Sequence, residues 1–320
     1  MTVAVSDLTV RPITGPDELP LFNRFPYLLN DEFAGDLAEG RRHPAWMWLA
    51  LAGDRPVARL SFWAPHRGDA PLLLDVLDVD DEAADLDRET TLEHLLRTAL
   101  AATLPEGTVP PEYLRYVSAG WRSDPREHRA VAERMAVVEK TGGSLLVERL
   151  RFQWDLKDAA PSPGDRLRFR EIRDEQEMRD LMARALQGSL DAHHRNELRT
   201  KTPEEVVSDE FAEEFGRYST PRSWWRIAAT PDGEPVGFVL PARNVMHPII
   251  GYIAVLPEHR GNGYIDDLLA EGTRVLVEEG GETYIRAATD LGNTPMAEAF
   301  ARAGYATISR IIDMVWDAPL

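Results

Sequence analysis

The stretch from Ile249 to Glu279 constrains the fold more tightly than any other part of the chain. Ile249-Ile250-Gly251-Tyr252-Ile253-Ala254-Val255 is an apolar run of strand length, and His259-Arg260-Gly261-Asn262-Gly263-Tyr264 is a basic, glycine-rich turn. In the helical segment that follows, Ile265, Leu268, Leu269, Gly272, Val275 and Leu276 recur at three- and four-residue spacing and make one apolar face; Gly280-Gly281 stop the helix. The first amides of such a helix have no intrahelical acceptor, and the helix dipole adds partial positive charge at the same place, so the turn suits a pyrophosphate. No Lys-Ser/Thr follows the glycines as in a P-loop, and the third glycine of a dinucleotide fingerprint is missing.

A chain of 320 residues, 43% of them hydrophobic, can bury two cores of ordinary size, so two domains are expected. Cysteine is absent, which rules out a thiol nucleophile, a thiolate metal site and a disulfide framework. No metal ligand set is expected. No run approaches the apolar length of a spanning helix, and the N-terminus lacks a signal-like core, so a cytoplasmic chain without a membrane partner is expected. The net charge of -18 argues against a nucleic-acid surface; it suits either a solvated exterior or steering of a cationic substrate.

Hydrophobic periodicity gives the same order of elements twice. Leu8 to Thr14 reads as a strand, Asp17 to Phe25 and Asp31 to Glu39 as short helices, Trp46 to Ala52 with Val57 to Trp63 as a hairpin, and Leu72 to Val79 as a strand. A helix from Thr91 to Thr103, a strand from Tyr113 to Val117, a helix from Pro125 to Lys140 and a strand from Leu145 to Trp154 follow. The linker is Asp158-Ala159-Ala160-Pro161-Ser162-Pro163-Gly164-Asp165, whose prolines and glycine break both helix and strand, so domains are expected at 1–157 and 166–320 with the linker at 158–165. Beyond it come a strand (Leu167 to Ile172), helices (Glu175 to Gln187, Glu204 to Phe215) and a hairpin (Trp225 to Thr230, Val236 to Leu240). The organising turn and helix lead to a strand (Thr283 to Ala288), a helix (Thr294 to Ala303) and a terminal strand (Ala306 to Trp316). Trp48 to Val57 aligns with Arg226 to Val236, which suggests internal duplication.

At Arg260-Gly261-Asn262-Gly263-Tyr264 the chain resembles the GNAT acyltransferase superfamily, whose Arg/Gln-x-x-Gly-x-Gly/Ala turn holds the pyrophosphate of acetyl-CoA. Ile265 stands where the motif ends in Gly or Ala. Asn293-Thr294-Pro295-Met296-Ala297-Glu298-Ala299-Phe300-Ala301-Arg302-Ala303-Gly304-Tyr305 resembles the family's Asn-x-x-Ala-x-x-x-Tyr-x-x-x-Gly-Phe segment, in the right order and at the right separation. The resemblance implies an α/β (α+β) fold of two tandem GNAT-like domains, each a mixed, mostly antiparallel sheet flanked by helices. In the first half the acidic run Asp80-Asp81-Glu82-Ala83-Ala84-Asp85-Leu86-Asp87 stands where the phosphate turn belongs, and like charges there would repel a pyrophosphate, so that copy is expected to be degenerate.

The implied function is CoA-dependent transfer of an acetyl group to a small-molecule or peptide-like primary amine, by direct attack in a ternary complex, in a monomer or homodimer. The alternative is a CoA-binding sensor without catalysis. By resemblance, the amides of Gly261, Asn262, Gly263 and Tyr264 take the pyrophosphate while Arg260 and Arg302 offset its charge, and the backbones of Ala254 and Val255 pair with the pantetheine arm. Asn293 reads as the family's asparagine near that arm and equally as a helix N-cap. Phe300 replaces the tyrosine that protonates the thiolate in many members, so Tyr305, Tyr284 or water would substitute. The family's usual glutamate position is Ile249; His247, two residues earlier on the same strand face, is the candidate base. Asp290 is a candidate amine ligand or a plain turn residue. His193 and His194 point apart on a helix and make a poor metal pair, and Glu204, Glu205, Asp209, Glu210, Glu213 and Glu214 read as a solvated face or as an amine-binding wall.

Overall fold

A computed structural model describes residues 3–157 and 159–319. Asp158, the first residue of the expected linker, lies outside the described residues, as do Met1, Thr2 and Leu320 at the ends of the two expected domains.

The elements are β1 (Leu8–Pro12), α1 (Leu19–Phe22), α2 (Phe33–Glu39), β2 (Met47–Ala52), β3 (Arg55–Trp63), β4 (Leu73–Val79), α3 (Arg88–Thr103), β5 (Glu112–Ser118), α4 (Pro125–Lys140) and β6 (Gly143–Asp155). They continue with β7 (Arg168–Glu171), α5 (Glu175–Ala185), α6 (Ala192–Glu197), α7 (Pro203–Glu213), β8 (Arg226–Ala229), β9 (Pro235–Arg243), β10 (Pro248–Val255), α8 (Tyr264–Glu278), β11 (Tyr284–Asp290), α9 (Thr294–Arg302) and β12 (Ala306–Trp316). The helix expected from Asp17 shrinks to one turn, and α6 is the helix on which His193 and His194 were expected, without bounds. At six residues α6 is too short to show a period, and its start is set by Asp191, whose carboxylate accepts from His194 N–H at 3.1 Å. Thr202 and Glu205 close a capping box at the head of α7.

The chain forms two compact units, residues 1–148 with 309–320 and residues 149–308. These divide inside β6 and β12, where the composition at 158–165 placed the division between whole halves. In the first unit β1, β2, β3 and β4 pair antiparallel in that order, β4 pairs parallel with β5, and β5 pairs antiparallel with Ser309 to Met314 of β12. In the second, β7, β8, β9 and β10 pair antiparallel, β10 pairs parallel with β11, and β11 pairs antiparallel with Arg149 to Asp155 of β6. One pairing pattern therefore occurs twice. The aligned hairpins even share an irregularity: the register shifts beside Pro56 in β3 and beside Pro235 in β9, as expected where proline offers no N–H to the ladder.

Each unit has a core on both faces of its sheet. Met47, Leu49 and Leu51 of β2 face α1 and α2 while Trp48 and Ala50 face α3 and α4. In the second unit Phe238 and Leu240 of β9 pack with α5 and α7, and Val239 packs with α8 and α9. Gly272 lets α8 lie close on this sheet, since a Cβ there would meet Val239 Cγ2 at 2.7 Å and Ile250 Cδ1 at 3.1 Å. That close packing fixes where the N-terminus of α8 points. No helix among the described residues is long and apolar enough to cross a membrane.

Candidate functional site

In the second unit β10 keeps its ladder to β9 from Pro248 to Val255, with a register shift between Ile250 and Tyr252, but it pairs with β11 at Ile249↔Arg286 alone. The other edge of β11 is held by β6 as far as Asp290. The two parallel strands thus part after one pairing, and from Gly251 to Val255 no strand among the described residues pairs with this edge of β10, where the Val255 carbonyl accepts from Arg260 and the residues are half-buried. An extended ligand can complete that ladder.

Beyond this edge lies the glycine turn. Gly261 and Gly263 have φ of +81° and +70°, the left-handed region that favours glycine, and nothing lies within 4 Å of where their Cβ atoms would be. Gly263 is the N-cap of α8 and brings no side chain to occupy the free amides. Among the described residues, the amides of Gly261, Asn262, Gly263, Tyr264 and Ile265 have no protein acceptor. Ile265 packs its side chain on the core of α8 and α9, so the departure from the motif leaves its amide on the turn.

The charged side chains nearby are already committed. Arg260 donates to the carbonyls of Val255 (3.1 Å), Gln187 (2.7 Å), Gly188 (3.3 Å) and Ala185 (2.8 Å), so its guanidinium caps the C-terminal end of α5 and ties it to the turn. It braces the loop, whereas the sequence suggested a counter-ion for phosphate. Arg166 donates to the carbonyls of Asn262 and Gly263, both at 3.1 Å, and pairs with buried Asp267, which also accepts from Gly164 N–H. Arg302 pairs with Asp266 at 2.8 Å. Both first-turn carboxylates of α8 are therefore offset by arginines. Arg166, at the edge of the proline-rich stretch, was not singled out by sequence, since nothing local links it to a turn 96 residues away.

The candidate catalytic residues His247, Asp290 and Tyr305 are each engaged with other parts of the chain. His247 is placed at the closed end of β10, two residues before the single pairing with β11, and its Nδ1 contacts Tyr284 Oη at 3.2 Å. Burial, with Arg286, Arg151 and Arg243 nearby, lowers it to about 4, so it is neutral at pH 7 and weakly basic. The open edge begins several residues further along the strand. Tyr305 is buried and shares a 2.7 Å hydrogen bond with Thr273 Oγ1, and burial raises its phenol. Phe300 is buried and stacked on Phe152, with centroids 4.8 Å apart. Both belong to the core. Asp290 is buried and accepts from Ala192 N–H at 2.6 Å, with Arg149 at 3.2 Å, so it anchors the start of α6; its carboxyl is raised by burial and by Asp191. Asn293 caps α9 through Met296 N–H at 3.4 Å.

The side chains that do face the opened strands come from α6, α7 and the turn that follows α7. His194 Nε2 lies 2.7 Å from Glu210 Oε1, and the His194 ring rests on that of Tyr252 of β10, centroids 5.5 Å apart. Tyr218 Oη donates to Glu214 at 2.7 Å and sits against Gly251, where a Cβ would meet it at 2.8 Å. Burial pulls the His194 proton affinity down, but the hydrogen bond to Glu210 and the charges of Asp191, Glu210 and Glu197 outweigh it and raise the histidine. Period reasoning could place Glu210 and Glu214 on one helical face, but could not say what that face met.

The first unit has the same parting of strands with a different filling. There β4 meets β5 only at Leu73↔Glu112 and Leu74↔Tyr113. Beyond that point Tyr27 Oη donates to Asp75 O at 2.8 Å and accepts from Tyr116 N–H at 3.1 Å, and Arg115 donates to Leu77 O at 3.2 Å and to Asp78 at 3.0 Å. Buried Arg59 also pairs with Asp78, and buried Arg42 joins Asp36 and Asp75. The strand edges that stay open in the second unit are used up here by the chain itself. The acidic run leads into α3, with Asp87 as N-cap, Arg55 on Asp85 at 2.8 Å and Arg134 on Asp81 at 2.7 Å.

Comparison with known proteins bears on this geometry. Residues 192–305 match the model of the acetyltransferase (GNAT) family. No curated protein matches the chain in sequence. Among solved structures, a GCN5-related N-acetyltransferase from Sphaerobacter thermophilus is 16% identical, with 98% of this chain and 96% of that one covered and a TM-score of 0.60. A glucosamine N-acetyltransferase region of a fungal multi-domain GH3 beta-N-acetylglucosaminidase is 12% identical, with 96% of this chain and 38% of that one covered and a TM-score of 0.51. A tandem GNAT protein from the clavulanic acid biosynthesis pathway is 18% identical, with 96% and 98% covered and a TM-score of 0.49. At these identities the likeness is one of fold.

Proposed function

From the match of residues 192–305 to the GNAT acetyltransferase family model together with this geometry, we propose that this chain is a CoA-dependent N-acyltransferase that moves an acetyl group from acetyl-CoA to a primary amine. The observation that carries the reading is the single pairing of β10 with β11 followed, at the end of the same strand, by five unclaimed turn amides. An extended arm ending in a pyrophosphate needs both. The amides of Gly261 to Ile265 would take the pyrophosphate, and the edge from Gly251 to Val255, with Ala254 and Val255 nearest the turn, would pair with the pantetheine arm. A thioester held there faces α6 and α7, from which the amine attacks its carbonyl in one ternary complex. Arg260 and Arg166 serve by holding the turn in shape, and Asn293 by capping α9.

The first unit is proposed to bind no acyl-CoA, because Tyr27 and Arg115 occupy its strand edges and α3 begins with Asp87 in place of a glycine turn. Calorimetry with acetyl-CoA and an acetylation assay over a panel of primary amines test the assignment. A folded protein that shows neither binding nor transfer rejects it. A second reading, CoA binding without catalysis, is favoured by the burial of Phe300 and the tying of Tyr305 to Thr273, which leave no tyrosine on α9 or after it to protonate the thiolate. Tight binding without turnover would select that reading; a thiol with a pKa of about 8.5 leaves without a donor, so turnover needs none.

A further inference from the structure

The short helix α6 is strung across the opened strand pair. Its first amide is held by Asp290 at the end of β11, and its third residue, His194, lays its ring on Tyr252 of β10. Glu210 reaches the same imidazole from α7. An ionised carboxylate can only accept, so Nε2 carries a proton and donates to Glu210, and Nδ1 is the basic nitrogen of the neutral ring. Nδ1 is buried and has no hydrogen-bond partner among the described residues, and it lies 3.7 Å from Asp191 Oδ1, so a proton taken there is met by a second carboxylate.

We propose that His194 is the catalytic base that takes the proton from the acceptor, with Glu210 as its positioning carboxylate, and that the acceptor is a cationic primary amine entering between Tyr252 and the Tyr218–Glu214 pair. This rests on the acyltransferase reading above. The ammonium passes one proton to Nδ1, directly or through one water, and becomes a nucleophile. Its lone pair forms the C–N bond at the thioester carbonyl, and the C–S bond breaks as the tetrahedral adduct collapses. The surplus N–H proton goes to the departing thiolate and His194 returns its proton to solvent, so amide, thiol and one proton result. The groups on the ring and on its carboxylate partners are Asp191 and Glu197 at the two ends of α6, Glu210 of α7 and Glu214 just after it, Tyr252 of β10, Asp290 of β11 and the cation Arg149 of β6, with His193 adjacent in sequence. Carboxylates predominate, which favours a cationic acceptor and a protonated histidine.

The test is His194→Gln in the full chain, which keeps a side-chain N–H for Glu210 and removes the base, assayed with putrescine, tyramine and glycyl-lysine. Acetyl-CoA affinity by calorimetry should stay within twofold or so, while kcat/KM falls about 100-fold or more and the rising limb of the pH profile, set above the usual histidine value, disappears. Added imidazole should restore part of the rate in His194→Ala, and Glu210→Gln should move the limb to lower pH. Wild-type kcat/KM with an unchanged limb in His194→Gln overturns the proposal. So does equal loss of acetyl-CoA binding, which would mark a structural role. A wild-type protein that neither binds acetyl-CoA nor acetylates an amine overturns the acyltransferase reading and this one with it.

Discussion

Placing a single negative charge on the turn at Gly263 separates anion binding from mere loop architecture. Gly263→Asp and Gly263→Asn differ only in that charge, and both enter a position with φ of +70° and no atom within 4 Å of the new Cβ. The shared cost is the left-handed backbone, about 1 kcal/mol for a residue that tolerates it, and either side chain is a good N-cap, so folding should survive in both. A carboxylate about 5 Å from a pyrophosphate carrying about two charges adds roughly 2 kcal/mol of repulsion in bulk water and about 7 kcal/mol at an effective dielectric of about 20. The Asn variant should therefore bind acetyl-CoA less than about tenfold more weakly than the wild type, and the Asp variant at least about another tenfold more weakly. Isothermal titration at low and high salt reads both, with the gap between Asp and Asn closing as salt rises. Equal, wild-type affinity in the two variants would refute the assignment of the turn amides to phosphate.

Titration of the intact chain should give one acetyl-CoA per molecule; two equivalents would show that Tyr27 and Arg115 do not close the first unit. Arg166→Ala leaves Asp267 buried without its cation and releases two turn carbonyls, and should weaken acetyl-CoA binding about tenfold, measured by the same titration. Asp78→Ala strands two buried guanidinium groups, Arg59 and Arg115, and should destabilise the first unit by about 3–5 kcal/mol, visible as a lowered melting transition. His247→Gln should leave turnover and its pH profile unchanged. Because the folded His247 is lowered to about 4, the unfolded chain binds more protons between that value and the usual 6.5, so stability falls as pH drops through this window; in His247→Gln denaturant melts should lose that part of the acid dependence.

The strand, glycine turn and helix around Arg260 to Glu278 were legible because every signal there is local: apolar period, two glycines and a helix stop. The doubled order of elements was legible for the same reason, and the α/β architecture followed. Which strand completes which sheet was not. β6 follows α4 and pairs with β11, β12 follows α9 and pairs with β5, and no local pattern distinguishes a strand that stays from one that pairs elsewhere. The parting of β10 from β11 is likewise invisible in sequence, because it consists of ladder bonds that are not made. Side-chain roles depended most on tertiary structure. Arg260 carries the right charge in the right motif, yet four carbonyls take its donors, and Tyr305 looks like a donor until Thr273 is found across from it. His194 and Glu210, sixteen residues apart, meet over Tyr252 only once α6 is anchored to Asp290. Sequence determines what a short segment can do by itself; packing decides which groups it then does it with, because contacts between distant segments carry no local period to read.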